Sequence, residues 1–366
     1  MDLTNKTELL NYLKQHNLWA KKGLGQNFLV DKSALDKIVE AAEIEENDLI
    51  IEVGPGVGTL TSELIKQAGE VVAIEMDEKL VELLGQEFKI YNLKFKINDK
   101  SDNLKKDVIS SDIAEGEESR NLLRDPSTEF TLSLSNGVGM TKEAIGMTIL
   151  SSGMTAQNKL EIINSDILKV NLDEIIGDRK YKVVANIPYY ITSKIIELFL
   201  TAENKPESIV LLVQKEVAER ICAKAGGMSV LSVSVQLYGQ PEIVGIVKKE
   251  SFFPSPKVDS AILKISNINN SFCHPELVSG SHHNEKMLKQ VQHDKFMDEK
   301  AFFRCVHIGF ASRRKTLANN LSSGYRINKK KASDIINAIG LSESVRAQEL
   351  SIEDWKKLAQ EMKHEL

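Results

Sequence analysis

Asn186-Ile187-Pro188-Tyr189-Tyr190 is the stretch of this sequence with the most specific chemical content. The lone pair of an exocyclic amine on an aromatic base is drawn into the ring, and acceptors for the amine hydrogens can orient it away from that conjugation. The side-chain oxygen of Asn186 and the main-chain carbonyl of Ile187 are suitable acceptors. Pro188 fixes the backbone and removes a donor, leaving carbonyls free to face a cleft. Tyr189 offers a stacking face for a flipped base. The alternative is a proline–aromatic loop that merely packs. The position after the apolar run Val183-Val184-Ala185, at the carboxyl edge of a sheet, favours the chemical role.

Glu52-Val53-Gly54-Pro55-Gly56-Val57-Gly58 stands at the end of an earlier apolar strand. Glycines there let the backbone turn sharply and approach a ligand that a side chain would block. They could instead serve only a tight turn. A dinucleotide fingerprint would need glycine at position 59, where Thr59 stands, and this weakens a nicotinamide reading. Glu75, ending the next strand, is placed to accept hydrogen bonds from two ribose hydroxyls. NAD and S-adenosylmethionine both present that diol, so Glu75 alone does not choose between them; the Asn186 to Tyr190 motif chooses the methyl donor.

Other chemistries find little support. Cys222, Cys273 and Cys305 are scattered, and no Gly-x-Ser-x-Gly turn follows a strand, so no nucleophilic triad is expected. Cys273, His274, His282, His283 and His293 fit no common zinc spacing, and no metal is expected.

The elements that must position these residues follow from periodicity. Lys6 to His16 has helical spacing, with Leu9, Leu10 and Leu13 on one face. Asp31 caps a second helix, Lys32 to about Ala42, with Leu35, Ile38 and Val39 as its apolar stripe. Leu49 to Val53 is a short buried strand, Thr59 to Ala68 a helix, and Val71 to Ile74 another strand, which together make a βαβ unit. The pattern recurs at Val183 to Ala185 and at Ser208 to Val213. An open, mostly parallel α/β sheet of Rossmann-like type is expected over residues 1–266.

Two segments break the pattern. Residues 93–158 turn polar without periodicity and read as a disordered insertion. Residues 267–295 read as an inserted loop, similar to the in-frame translation of a palindromic repeat. Residues 296–366 have helical spacing and read as a smaller C-terminal domain.

At 366 residues the chain is long enough for two cores. Its net charge of −5 leans against a nucleic-acid binder when taken alone, but distribution matters more than the sum. From Lys300 to Lys331 the chain carries Lys300, Arg304, Arg313, Arg314, Lys315, Arg326, Lys329, Lys330 and Lys331 with no acidic residue. A solvated helix face would also explain such a run. Lys21 and Lys22 form a smaller basic cluster. No apolar run is long enough to span a bilayer, the N-terminus does not read as a secretory signal, and the odd cysteine count suits a reducing cytoplasm.

In this order, Gly25-Gln26-Asn27-Phe28-Leu29, Glu52 to Gly58, Asn186 to Tyr190 and Phe252-Phe253-Pro254-Ser255-Pro256-Lys257-Val258-Asp259-Ser260 resemble the ribosomal RNA adenine N6-dimethyltransferase family. Phe303-Arg304 and Phe310-Ala311-Ser312-Arg313-Arg314-Lys315-Thr316-Leu317 extend the resemblance to its bacterial 16S branch. It covers nearly everything except the two suspected insertions.

The resemblance implies a Rossmann-like methyltransferase sheet with a smaller α-helical C-terminal domain, and S-adenosyl-L-methionine as cofactor. It implies methyl transfer to N6 of two adjacent adenosines near the 3′ end of 16S ribosomal RNA, by in-line attack of N6 on the sulfonium methyl, giving N6,N6-dimethyladenosine. The partner would be 16S ribosomal RNA in the small ribosomal subunit or its precursor, with a part in subunit biogenesis. A cytoplasmic monomer without membrane contact is expected. Asn27, Leu29, Gly54, Glu75 and Asn186 would contact the cofactor, and an aspartate after the next strand its adenine. Asp99 and Asp166 compete for that place; Asp166 is the choice, on condition that the first insertion loops out. Asn186, Tyr189 and Phe252 would form the catalytic pocket, Phe252 as the second aromatic wall, with Phe253 the alternative. Basic residues of the C-terminal part, with Lys21 and Lys22, would hold phosphates. Three rivals stand beside this reading: a large-subunit RNA methylase, a ribosome-assembly or transcription factor that keeps the fold without needing catalysis, and a DNA adenine methylase.

Overall fold

The computed structural model describes residues 1–21, 23, 25–88, 160–268 and 298–363. Its strands are β1 (Phe28–Leu29), β2 (Leu49–Val53), β3 (Glu70–Glu75), β4 (Leu160–Asn164), β5 (Lys182–Asn186), β6 (Ser208–Gln214), β7 (Gln240–Val247), β8 (Phe252–Phe253) and β9 (Ser260–Ser266). Helices α1 (Lys6–Gln15), α2 (Lys32–Ala41), α3 (Thr59–Gln67), α4 (Glu78–Glu87), α5 (Leu172–Ile176), α6 (Thr192–Thr201), α7 (Lys215–Ile221) and α8 (Val230–Tyr238) accompany the sheet. Helices α9 (Glu299–Gly309), α10 (Leu317–Tyr325), α11 (Lys329–Ala338) and α12 (Ile352–Met362) follow. No helix among the described residues is long and apolar enough to cross a membrane.

The large sheet runs β4-β3-β2-β5-β6-β9-β7. Strands β4, β3, β2, β5 and β6 are parallel, as the βαβ pattern predicts, while β9 and β7 extend the β6 edge antiparallel. The chain leaves β2 in both directions, to β3 on one side and β5 on the other. Ligands of open α/β sheets bind at such a switch point, outside the carboxyl ends of the strands.

Apolar alternation explains how both sheet faces are covered. Leu49, Ile51 and Val53 of β2 share a core with Ile195, Ile196 and Phe199 of α6. Ile50 points the other way, into a core with Leu35 and Ile38 of α2 and Leu60 and Leu64 of α3. Strand β6 divides likewise, with Ile209, Leu211 and Val213 on the first face and Val210 and Leu212 on the second. Asp31 caps α2 by accepting from the Ala34 amide, as its place before the apolar stripe predicts.

The C-terminal helices are expected from residue 296 on, and their core is continuous with that of the sheet. Phe302 and Val306 of α9, Leu321 of α10, Ile336 of α11 and Trp355 and Leu358 of α12 belong to the same buried cluster as Val183 and Phe199.

Candidate active site

A cavity of about 270 Å³ opens at the carboxyl ends of β2, β3, β4 and β5. Asn27, Leu29, Gly54, Glu75, Asp166, Asn186 and Tyr189 all line it. The sequence-predicted cofactor residues are therefore brought to one place by segments far apart in the chain.

The floor is built by the turn after β2. Gly54 has φ of +70°, a region that a side chain strains, and a Cβ there would meet nothing nearer than the Asn186 carbonyl oxygen at 4.0 Å. A side chain would thus project into the cavity that the glycine leaves open. Gly58 has φ of +83°, and its Cβ would come within 2.8 Å of Leu84 on α4, so its role is packing. Glu75 is 7% exposed. Its carboxylate accepts from the amides of Gly56 (3.2 Å) and Asp77 (2.9 Å), which tie it to the glycine turn. Burial raises its pKa above the usual carboxylate range despite those two donors.

Asp166 reaches the cavity because β4 is stitched to the end of β3. The Asn164 side chain and the Ser165 amide both donate to the Glu75 carbonyl, at 3.1 and 3.0 Å. One oxygen of Asp166 accepts from the Leu168 amide at 3.0 Å. Asp99, the other candidate for this place, lies outside the described residues.

Asn186 ends β5. Its side-chain nitrogen donates to the Asn27 carbonyl at 3.2 Å, and this sets the amide so that Oδ1 is the acceptor. Tyr189 follows in a single 3₁₀ turn, Tyr189–Ile191, where its hydroxyl shares a 2.6 Å hydrogen bond with Ser260 at the start of β9. That bond and the Thr192 hydroxyl donating to its carbonyl at 3.1 Å hold the ring at the cavity wall.

Phe252 is placed differently from the expectation. It is 2% exposed, pairs with Leu29 in the β1–β8 ladder and packs with Leu35 and Ile38, behind the cavity. Phe253, the alternative wall, packs with the Phe28 and Leu9 cluster and lies under Lys6, whose Nζ is 5.7 Å from its ring centroid. Alternation along a two-residue strand sends the two rings to opposite sides, and neither lines the cavity.

The segment before β1 is pinned across the cleft. Lys21 forms an ion pair of 2.8 Å with Asp77, whose side chain is 4% exposed, and the Gln26 side chain donates to the same carboxylate at 3.3 Å. Lys21 is therefore engaged with this buried carboxylate, whereas the sequence suggested a phosphate contact. Lys22 lies outside the described residues, as do Cys273, His274, His282, His283 and His293.

Several cavity residues carried no role in the sequence. Glu52 is fully buried, with one carboxylate oxygen lacking any partner, and lines the cavity. Burial, with the charge of Glu75 adding to it, pushes its pKa up to about 8. An acid inside the apolar run Leu49 to Val53 was the available signal. Met76 and Leu168 are exposed apolar side chains flanking Glu75 and Asp166, and Tyr190 and Lys194 stand at the same cavity. Nothing in the local spacing marks Met76, Leu168 or Lys194, and Tyr190 stood in the Asn186 to Tyr190 motif without a role of its own.

Away from the cavity, Lys300, Arg304, Arg313, Arg314, Lys315, Arg326, Lys329, Lys330 and Lys331 are all exposed on α9 to α11 and their connections. Among the described residues no cluster of His, Cys, Asp and Glu is arranged to hold a metal ion.

Comparison with known proteins gives a consistent picture. The family model described as ribosomal RNA adenine dimethylase matches residues 17–127 and 147–278. The ribosomal RNA small subunit methyltransferase A of Dehalococcoides mccartyi (strain CBDB1) is 36% identical over 95% of this chain and 90% of that protein. Its namesake in Clostridium acetobutylicum is 33% identical over 96% of each. Among solved structures, a dimethyladenosine transferase from Plasmodium falciparum is 21% identical with a TM-score of 0.58, covering 92% of this chain and 98% of that one. The 23S rRNA methyltransferase ErmE gives 19% identity and 0.57, covering 92% and 99%. At those identities the two structures speak for the fold.

Proposed function

Because the chain belongs to the ribosomal RNA adenine dimethylase family, we propose that it transfers methyl groups to N6 of two adjacent adenosines of 16S ribosomal RNA, near the 3′ end, in the small subunit or its precursor. The observation that carries the reading is the orientation of Asn186. Its nitrogen is spent on the Asn27 carbonyl, and its oxygen is left as an acceptor at the cavity.

The cavity suits S-adenosylmethionine. Gly54 leaves open the volume that a Cβ would fill, Glu75 supplies a buried carboxylate for a ribose diol, and Asp166 an acceptor for an adenine amine. Met76 and Leu168 add apolar surface beside Asp166. Asn27 and Leu29 complete the cover. When bound, the group supplies an electrophilic sulfonium methyl with a neutral thioether as leaving group.

The chain's own contribution is positioning. The Asn186 oxygen and the Ile187 carbonyl accept the N6 hydrogens and hold the nitrogen lone pair out of ring conjugation. Tyr189 covers one face of the base, its ring fixed by Ser260. No strongly shifted base is required, because the amine loses its proton only after the new bond makes it acidic. Phe252 is buried beside Leu29, which lines the cavity, and would serve as a second wall once uncovered.

We infer a division of labour along the chain. Residues 1–266 hold cofactor and base, residues 296–366 bind RNA phosphates through their exposed basic side chains, and residues 93–158 and 267–295 lie outside both tasks. The protein works as a monomer in the cytoplasm.

The test is methyl transfer from labelled S-adenosylmethionine to unmodified small subunits, with an Asn186→Ala protein alongside. Dimethyladenosine that disappears in the variant supports the reading. Subunit binding without transfer by the wild type would sink it in favour of an assembly factor.

A further inference from the structure

We propose that Tyr190 and Lys194 form a second nucleotide subsite at the mouth of the cavity, which holds the nucleotide adjacent to the one undergoing methylation. The proposal rests on the reading of the cavity as an RNA adenine methyltransferase site.

Tyr189 and Tyr190 are consecutive in one 3₁₀ turn, yet the structure treats them differently. Tyr189 is partly buried and its hydroxyl is tied to Ser260 at 2.6 Å. Tyr190 is 62% exposed, makes no hydrogen bond among the described residues, and still lines the cavity. Its ring nonetheless has a neighbour on one side. A Cβ added at Gly25 would just touch Cδ1 and Cε1 of Tyr190, at 3.4 Å, so the Gly25 turn, with φ of +64°, stands beside the ring with room for about one methyl group between them. An exposed aromatic ring at the rim of a cavity is a stacking platform. Nothing in the core needs it.

Lys194 lies one helical turn further on, in α6. It is exposed, lines the same cavity and forms no ion pair among the described residues. A ring face and an unpaired cation at one rim match the repeating chemistry of a single strand, a base followed by a phosphate. When one base is drawn into the cavity against Tyr189, its neighbour loses a stacking partner and exposes a face. Tyr190 replaces that partner, and Lys194 meets the phosphate between the two nucleotides. The chemistry asks for a single strand and places no demand on base identity, because every base has a ring face. An enzyme that modifies two adjacent adenosines has one in each place by turns.

The test uses the full-length protein and a single-stranded RNA with two adjacent adenosines, one replaced by 2-aminopurine, whose fluorescence falls when it stacks. Wild type is expected to quench it on binding. Tyr190→Ala and Tyr190→Leu lose the quench and bind the RNA about tenfold more weakly, whereas Tyr190→Phe keeps both. Lys194→Gln lowers the salt dependence of binding by about one released ion. Cofactor affinity, measured by calorimetry, stays within about twofold throughout and reports an intact cavity. An unchanged quench and affinity in Tyr190→Ala would overturn the subsite. Methylation of small subunits by the same proteins separates the two claims. A wild type that transfers no methyl group defeats the functional reading, while the quench decides the subsite without any transfer.

Discussion

The side-chain amide of Asn186 donates to the main-chain carbonyl of Asn27, 3.2 Å away and 159 residues earlier in the chain. One contact therefore fixes an acceptor at the cavity wall and anchors the segment that covers the cavity. Asn186→Ala is expected to lower methyl transfer by about 10²- to 10³-fold, the usual effect of removing one oriented transition-state contact. Asn186→Asp keeps an acceptor but cannot donate to Asn27, so it should also weaken cofactor binding. Rates under saturating cofactor, read beside calorimetric affinities, separate the two effects.

The Lys21–Asp77 pair holds the same cover from its other end. Lys21→Met leaves Asp77 without its cation while that carboxylate remains buried. Because Lys21 is itself half exposed, the cost to stability is about 1 kcal/mol, well below that of a fully buried pair. Cofactor affinity should fall about fivefold, with the rate at saturation nearly kept. An unchanged affinity would show that the pair does not hold the cover.

Glu52 gives a pH signature with a definite sign. Its pKa is about 8 in the folded chain and near 4.5 when unfolded. Between those values the folded chain holds a proton that the unfolded chain has released, so stability falls as pH rises across that window and levels off above it. Glu75, also raised by burial, adds a slope of the same sign that remains in the variant. Glu52→Gln should therefore gain stability over wild type progressively from about pH 5 to about pH 8, as read from urea midpoints. Equal slopes would mean that Glu52 is already ionised.

Tyr189 separates ring from hydroxyl. Tyr189→Phe leaves the buried Ser260 hydroxyl without its partner and should cost about 1 kcal/mol of stability, with transfer largely kept. Tyr189→Ala removes the wall and should lower transfer at least about tenfold. Thermal melts and initial rates on the same preparations check both.

Excision tests the proposed division of the chain. Phe88 after α4 and Leu160 at the start of β4 pack on the same apolar cluster, so a short linker can join them. Replacing residues 93–158 by a glycine–serine linker should leave cofactor affinity and methyl transfer near wild type. Loss of both, with the protein folded by circular dichroism, would give the segment a part in the site.

Much of this was legible in the residues. Apolar runs such as Leu49 to Val53 and Ser208 to Val213 marked parallel strands because both faces of a covered sheet are apolar. Glu75 and Asn186 were placed by their position at strand ends, where the topology delivers them to one cleft. The antiparallel strands β7 and β9 were not anticipated: much of β7 is exposed and lacks a continuous apolar run, while β9 is buried but its short apolar run is interrupted by Lys264. Phe252 shows the limit most clearly. Its motif pointed to the site, but the side to which a strand residue points depends on the partner strand, and pairing with Leu29 turns it into the core. The engagement of Lys21 by Asp77 was hidden for the same reason, being a contact between segments 56 residues apart.

The core that runs unbroken from the sheet into α9 to α12 has a mechanical meaning. Among the described residues no seam divides that core, so the basic surface and the cavity belong to one packed body, like the jaws of a calliper. Such an instrument selects by length. Under the proposed division of labour, an RNA would be accepted when its own folding sets the distance between the gripped phosphates and the presented adenosine, and a strand with the right bases at the wrong separation would be measured and let go.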